Sequence, residues 1–483
     1  MSVRRAFVLV ELDFLEGMEY VGSEFYCTQP GDTPSNQVYD ARLEDVVYER
    51  AISCKIWTGS NRPPNPVREL RFVNSDGGIS DWTEKTIRNR AVTVKVAYAS
   101  GNQAALSWYE LPYDDFVTAG VLRGDQVIAD GEDSIRVTLR SWIDYLLEVP
   151  YCIGNLPSTV GEVTFMRPKV ISESTRQYAT CDTPYQEAVL EVRMSGTPLT
   201  GGGTDYTEDA TGFTMTAAPT GLLQAQVQGQ RFTSGAYFET PEECIQYAIE
   251  DRRDLSGIIH SSLYTLPAYK IATCIYDSMT CADFVQNVLD SINGFWWQGQ
   301  DGLLHFGVLE APSGTPVLEI AEDDLDGDLQ VDPDLAPGLT MIVHYNLNYA
   351  VARDEEVANY ASASDRAIAK REFDFVTAAT PPDGKYEPAV IRDPRKLWVQ
   401  DSTGAQAVAD DSCGIYAGNN AYFGRLSVFV PDGVSAANTL EPNDVVQITH
   451  SRYGLSGGVL ARVVSASSSI FSQRVELILW WVL

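Results

Sequence analysis

The sequence lacks any uninterrupted apolar run of the roughly 18 to 20 residues that a membrane-crossing helix needs, so no such span is expected. Its eight cysteines, at 27, 54, 152, 181, 244, 274, 281 and 413, include no Cys-x-x-Cys pair. The closest two, Cys274 and Cys281, match no zinc or redox spacing, and reduced, mostly buried thiols are expected. Only four histidines occur, at 260, 305, 344 and 450, too scattered to suggest a histidine metal site. Basic residues are scarce, with 35 Lys and Arg against 66 Asp and Glu and a net charge of −31. Such a chain repels a phosphate backbone, which argues against ordinary nucleic-acid binding. The same charge confers solubility and would suit a surface past which DNA slides without sticking. The segment Met1 to Val10 has a basic start and a short apolar run that Glu11 and Asp13 interrupt. A secretory leader needs a longer apolar stretch and a small-residue cleavage site, so this segment reads as a first β-strand of a protein made in a cytosol.

What is present points to strands. A chain of 483 residues is too long for one ordinary core, and two to four domains are expected. With 37 Gly, 24 Pro and 10% aromatic residues, turns and strands dominate over helical bundles. The first 165 or so residues carry period-two alternation at Val92, Val94, Val96 and Tyr98, and again at Ile135, Val137 and Leu139. Asn74-Ser75-Asp76-Gly77-Gly78 is a turn, and Asn61-Arg62-Pro63-Pro64-Asn65-Pro66 is an exposed loop because proline cannot sit in a central strand. The fold class expected is mainly β with α+β insertions, multidomain, built of β-barrels or sandwiches plus a small helix–hairpin domain.

Residues 188 to 232 form a second β-rich unit around the glycines at 196 and 201 to 203. No helix opens after these glycines to aim its N–H groups at a phosphate, and no phosphate-loop lysine follows, so they make a loop. Two helices carry start signals. Thr240-Pro241-Glu242-Glu243 begins one that should run to about Leu255 and stop near Gly257. Thr280 with Asp283 begins another, striped by Phe284, Val285, Val288, Leu289 and Ile292 and ended by Gly294. A hairpin follows, with Phe295 to Gln298 and Leu303 to Phe306 flanking Gly299-Gln300-Asp301-Gly302. Beyond residue 311 strands and loops return, with one helical segment around 354 to 373. Alternation over Val459 to Val463 and Val475 to Trp481 ties the last strand into a barrel or sheet.

Several constellations could carry chemistry. Glu322 to Asp328 places Asp324, Asp326 and Asp328 at alternate positions, as in a calcium loop. Gly327 is misplaced for the sharp turn, and Asp332 or Asp334 stands where a bidentate Glu is needed, so a solvated acidic loop is expected. Paired carboxylates could make a glycosidase, yet nothing singles out one pair. His450, beside Arg452 and Tyr453, is the most site-like histidine, and a packing or hydrogen-bonding role at a strand end is expected for it. Phe295-Trp296-Trp297 could stack sugars, but next to an amphipathic helix it more naturally covers that helix. No catalytic, cofactor-binding or metal-ligating residues are assigned.

The order of these pieces resembles a known family. Gly196-Thr197-Pro198-Leu199, then Gly203-Thr204-Asp205-Tyr206-Thr207, then Pro219-Thr220-Gly221 looks like a turn-rich module of phage tail proteins. The capped helices, Gly294-Phe295-Trp296-Trp297, Asp301-Gly302-Leu303-Leu304 and Leu309-Glu310-Ala311-Pro312 resemble the helix–hairpin unit of siphophage and Mu-like baseplate hub, or tail-tip hub, proteins. Val343 to Tyr349 and Asp444 to Val464 resemble strands that follow in them. The likeness spans roughly residues 188 to 483. It implies an N-terminal β-rich hub domain over 1–187 and a small β unit with a capped helix over 188–265. An α+β helix–hairpin unit over 266–320, a β-rich domain with one helix over 321–437 and a C-terminal barrel segment over 438–483 complete the division. It also implies a non-enzymatic, cofactor-free structural subunit of the virion tail. That subunit would form a homotrimeric ring between the distal tail or tail-tube protein and the tail-tip or central fibre protein. The acidic lumen would hold the tape-measure protein and pass DNA without binding it during genome ejection. The alternative is a carbohydrate-binding or depolymerising phage tail protein.

Overall fold

The computed structural model describes residues 5–44, 46–51, 69–99, 111–183, 186–308, 310–332, 338–379, 390–391, 394–415, 421–429, 440–469 and 474–482. Strands dominate, as the alternation and turn chemistry require, and helices are short. The Pro-rich loop at 61–66, Cys54, Leu309 and Asp334 lie outside the described residues. No helix among the described residues is long and apolar enough to cross a membrane.

Among the described residues the first sheet has eight strands, and its long members run Arg5–Phe14, Ala91–Ala99, Val117–Ala129 and Ser134–Arg140. Val92, Val94 and Val96 point to one face and meet Val8, Val10, Leu12, Ile135 and Val137 there. The sheet closes on itself. Past strand Val38–Ala41, the chain at Arg42 to Glu44 bonds to Gly22 on one side and to Arg71 and Val73 on the other. A bridge between Leu43 and Phe72 completes the barrel. Ala97, expected to face away from the core, is buried as well, because Phe7, Leu9, Tyr26, Tyr39, Leu111 and Phe116 cover the second face at that end.

Next come two four-stranded sheets packed as a sandwich. One contains Glu162–Met166, Gln186–Met194 and Leu223–Gln230, and the other contains Gln177–Ala179, Tyr206–Asp209 and Gly212–Met215. Val163, Val192, Phe213 and Val227 fill the space between them. At Gly161 a Cβ would lie 1.8 Å from the Ile271 carbonyl oxygen, and φ is +66°, so only glycine fits where the chain passes Ile271.

The largest core joins the helices and the hairpin to a later sheet. Helix Pro241–Gln246 starts with the expected reciprocal cap between Thr240 and Glu243. It continues as a π-turn over Tyr247–Asp251 and then stops, short of the expected Leu255. Helix Cys281–Asp290 is capped by Thr280. The residue that takes positive φ after it is Asn293 rather than Gly294, which already begins strand Gly294–Gln298. Phe284 stacks on Tyr151 with ring centroids 3.9 Å apart. The helical expectation at 354 to 373 resolves into a short turn, Asp354–Glu356, and helix Ala363–Lys370. A further helix, Ser402–Ile415, was not expected. It lays Ala405, Val408, Ala409 and Cys413 on the strands Gly338–Tyr345 and Asp374–Ala379.

The last sheet is assembled from remote pieces. Strands Ala421–Phe429, Val445–Ile448, Val459–Ser469 and Arg474–Val482 form antiparallel ladders. The segment from 318 to 332 pairs with Val445–Ile448 at one end and with Ala421–Phe429 at the other, so the sheet curls. Strand Val47–Ala51 of the N-terminal part joins it, pairing with Ser465 to Ser469.

Candidate functional site

The sequence-level constellations end in different places. Phe295, Trp296 and Trp297 are 0%, 1% and 6% exposed, so they are core and not a sugar platform. The Trp296 indole donates to Gln286 Oε1 at 2.9 Å, which satisfies its only polar group. The glycine-rich loop is a docked turn. Thr200 N–H donates to Asp205 at 2.8 Å, Arg193 pairs with Asp365 at 3.0 Å, and Ala358 N–H donates to the Ser195 carbonyl.

The acidic run is anchored rather than loose. Glu322 accepts from the Ser451 amide at 2.9 Å and its hydroxyl at 3.1 Å, and these bonds hold its carboxyl below the usual carboxylate range. Asp324 accepts the Ala321 amide, and Asp326 pairs with Arg474 at 2.8 Å. Among the described residues no three donors of this run converge as a metal site would require. His450 is 8% exposed, and its Nδ1 accepts from the Arg452 amide at 3.0 Å, so it orders the loop that Glu322 grips. Below the run opens a cleft of about 740 Å³ with Asp326, Asp328 and Glu476 among its lining residues, together with Arg425.

The tip of the hairpin does the most joining. Gln298 accepts from the Trp142 amide at 2.7 Å and donates to the Val121 carbonyl at 2.8 Å. Val121 N–H donates back to the Gln300 carbonyl, so the tip is fastened to the N-terminal barrel. On the other side, one carboxylate serves two donors. Glu441 accepts from the Trp297 indole at 3.0 Å and from the Gln300 amide at 2.8 Å. Leu304 exchanges backbone bonds with Ile258 and His260. Buried Arg462 adds a second tie to the last sheet by donating to the Glu310 carbonyl at 3.0 Å.

Sequence separation hid one cluster at this tip. His260, Asp301 and His305 lie with one ligand atom each within 4.8 Å of the others. The signal available was Asp301 in the tight turn and His305 four residues on, in the returning strand opposite Trp297. The position of His260 depends on a separate segment.

No family model matches the sequence, and no curated protein matches it. Solved structures do align. The prophage tail protein gp18 from Listeria monocytogenes EGD-e is similar at 9% identity and a TM-score of 0.42, covering 98% of this chain and 94% of that one. The 43 kDa tail protein of prophage MuSo2 from Shewanella oneidensis is similar at 8% identity and a TM-score of 0.41, covering 99% and 98%. A chain of the native gene transfer agent virion is similar at 10% identity and a TM-score of 0.44, covering 68% and 84%. All three TM-scores lie under 0.5, so none of these likenesses assigns a residue, a partner or a role to this chain.

Proposed function

We propose that this chain is a structural hub subunit of a phage-type tail. It forms a trimeric ring that links the tail tube to the tail tip, and its acidic lumen lets the tape-measure protein and DNA pass. The role is mechanical. The observation that carries this reading is the connection between the two curled sheets. They are tied through one hairpin tip, bonded to both, and through a strand that the N-terminal part lends to the C-terminal one. Such ties transmit load without a hinge. The order of tail-protein motifs along residues 188 to 483 supports the same reading. Self-assembly is supported by strand Lys169–Ser172, which stands at the edge of its sheet among the described residues, with Val170 and Ile171 each nearly half exposed. The net charge of −31 fits a wall that repels DNA in transit. Cryo-electron microscopy of the particle that encodes the chain, with the chain tagged, tests this. Threefold density on the axis just below the tail tube is expected, whereas signal on peripheral fibres would overturn the ring.

A further inference from the structure

The hairpin tip gathers three side chains whose chemistry suits a metal ion. His260 precedes the short turn Ser261–Thr265, while Asp301 and His305 belong to the hairpin. His305 Nε2 is 3.0 Å from one Asp301 oxygen and 3.1 Å from the other, close to the spacing of two donors that share one small ion. The His260 and His305 rings stack with centroids 3.8 Å apart. Space for this is made by Gly299, where a Cβ would lie 2.4 Å from His305 Nε2. Asp301 is 43% exposed, so an ion can enter from solvent.

We propose that His260, Asp301 and His305 form a binding site for a divalent transition-metal ion of the zinc class, which pins the hairpin tip to the segment from Ile258 to Ser262. Two imidazoles and one carboxylate favour zinc over calcium or magnesium, which take oxygen donors. Three protein ligands leave a fourth position for water. Binding rearranges the site modestly. The stacked rings turn about their Cβ–Cγ bonds until both in-plane lone pairs point at the ion. His260 Nδ1 now accepts from the Ser262 amide at 3.1 Å. For Nε2 to coordinate, its proton passes by way of solvent to Nδ1 and that bond is given up; the proton that His305 Nε2 donates to the Asp301 carboxylate likewise passes to His305 Nδ1, with no net loss of protons. The ion would stiffen the place where the hairpin meets Val121 on one side and Glu441 on the other. This holds whatever assembly the chain joins.

The test uses the full chain, stripped with a chelator and titrated with Zn²⁺ and, separately, with Co²⁺. One saturable equivalent is expected, with the visible absorption of low-coordinate Co²⁺ and a thermal midpoint that rises with Zn²⁺ and falls back with chelator. Asp301→Asn and His305→Ala should each weaken binding by at least the roughly tenfold that even an outer-shell partner is worth. His344→Ala, at a histidine stacked on Phe373 elsewhere, should leave binding unchanged. Absence of saturable binding at micromolar metal would overturn the proposal, as would equal binding by the Asp301→Asn chain. Should His305→Ala fail to fold by circular dichroism, Asp301→Asn, on an exposed turn, decides alone.

Discussion

The two curled sheets at the ends of the chain are built in opposite ways. The N-terminal barrel draws its strands from residues 5 to 140 and closes where Arg42 to Glu44 meet strand Glu69–Val73. Ion pairs brace its rim, with Arg42 on Asp76 at 2.8 Å, Lys85 on Glu19 at 2.6 Å and Arg90 on Asp13 at 2.6 Å. The C-terminal sheet instead takes strands from 318 to 332 and from 421 to 482, and borrows Val47–Ala51. Its closure rests on backbone pairing, on the Asp326–Arg474 ion pair and on an apolar interior around Leu477, Leu479 and Trp481. Local closure lets a region form by itself, whereas closure from remote segments waits for the rest of the chain. Dependence should therefore run one way, with the C-terminal sheet needing the N-terminal barrel.

Core truncations break this comparison most directly. Phe72→Ala and Trp481→Ala each empty a fully buried site, and each should cost about 3–5 kcal/mol. Hydrogen exchange should show Phe72→Ala releasing the N-terminal ladders and also Ser465 to Ser469, which lose their borrowed partner. Trp481→Ala should release the C-terminal ladders and strand Val47–Ala51 while the N-terminal barrel stays protected. Symmetric loss in both variants would refute one-way dependence. Ser467→Pro, opposite Glu49 on one side and Glu476 on the other, removes an N–H from a central strand. A loss of about 1–3 kcal/mol, from ladder groups left unpaired, is expected in chemical denaturation and should be confined to the C-terminal sheet.

Smaller effects separate the polar framework of the two ends. Lys95 and Glu11 are 16% and 14% exposed and pair at 2.8 Å. Burial opposes charge on both, yet their mutual bonds and those from Tyr39 and Tyr113 keep Glu11 below its usual pKa and Lys95 above. Lys95→Met alone strands a buried carboxylate and should cost about 3 kcal/mol, while adding Glu11→Gln should recover most of it. The smallest effect is acid sensitivity at the barrel rim. Arg42, with the Gly78 amide, holds Asp76 well below the usual carboxylate range. Its contribution is full above the unfolded value near 3.8 and is lost as pH falls through the depressed folded one. Melting of the N-terminal barrel below about pH 4 should therefore become less steep in Asp76→Asn, with no change in the C-terminal sheet.

Much of the local structure was legible residue by residue. Val92, Val94 and Val96 face one core as their spacing requires, and Thr240 and Thr280 cap helices with Glu243 and Asp283. Trp296 covers the helix that precedes it. Helix Ser402–Ile415 escaped notice because its buried stripe, Ala405, Val408, Ala409 and Ser412, is made of small residues interleaved with Gly404, Asp410 and Asp411. Spacing of three and four residues was present there, but without the bulk that makes a stripe visible. Asn293 displaced Gly294 as the left-handed residue because the hairpin strand had to start one residue earlier.

Alternation, caps and turns are decided by neighbours a few residues apart, so the sequence by itself determined the strand-rich class, the two capped helices, the hairpin and the acidic balance. Which strands pair is decided by closing long loops against competing partners, and that energy belongs to no short segment. Only the tertiary structure could therefore match Val47–Ala51 with Ser465 to Ser469, give Glu441 its two donors on the hairpin, and bring His260 to Asp301 and His305.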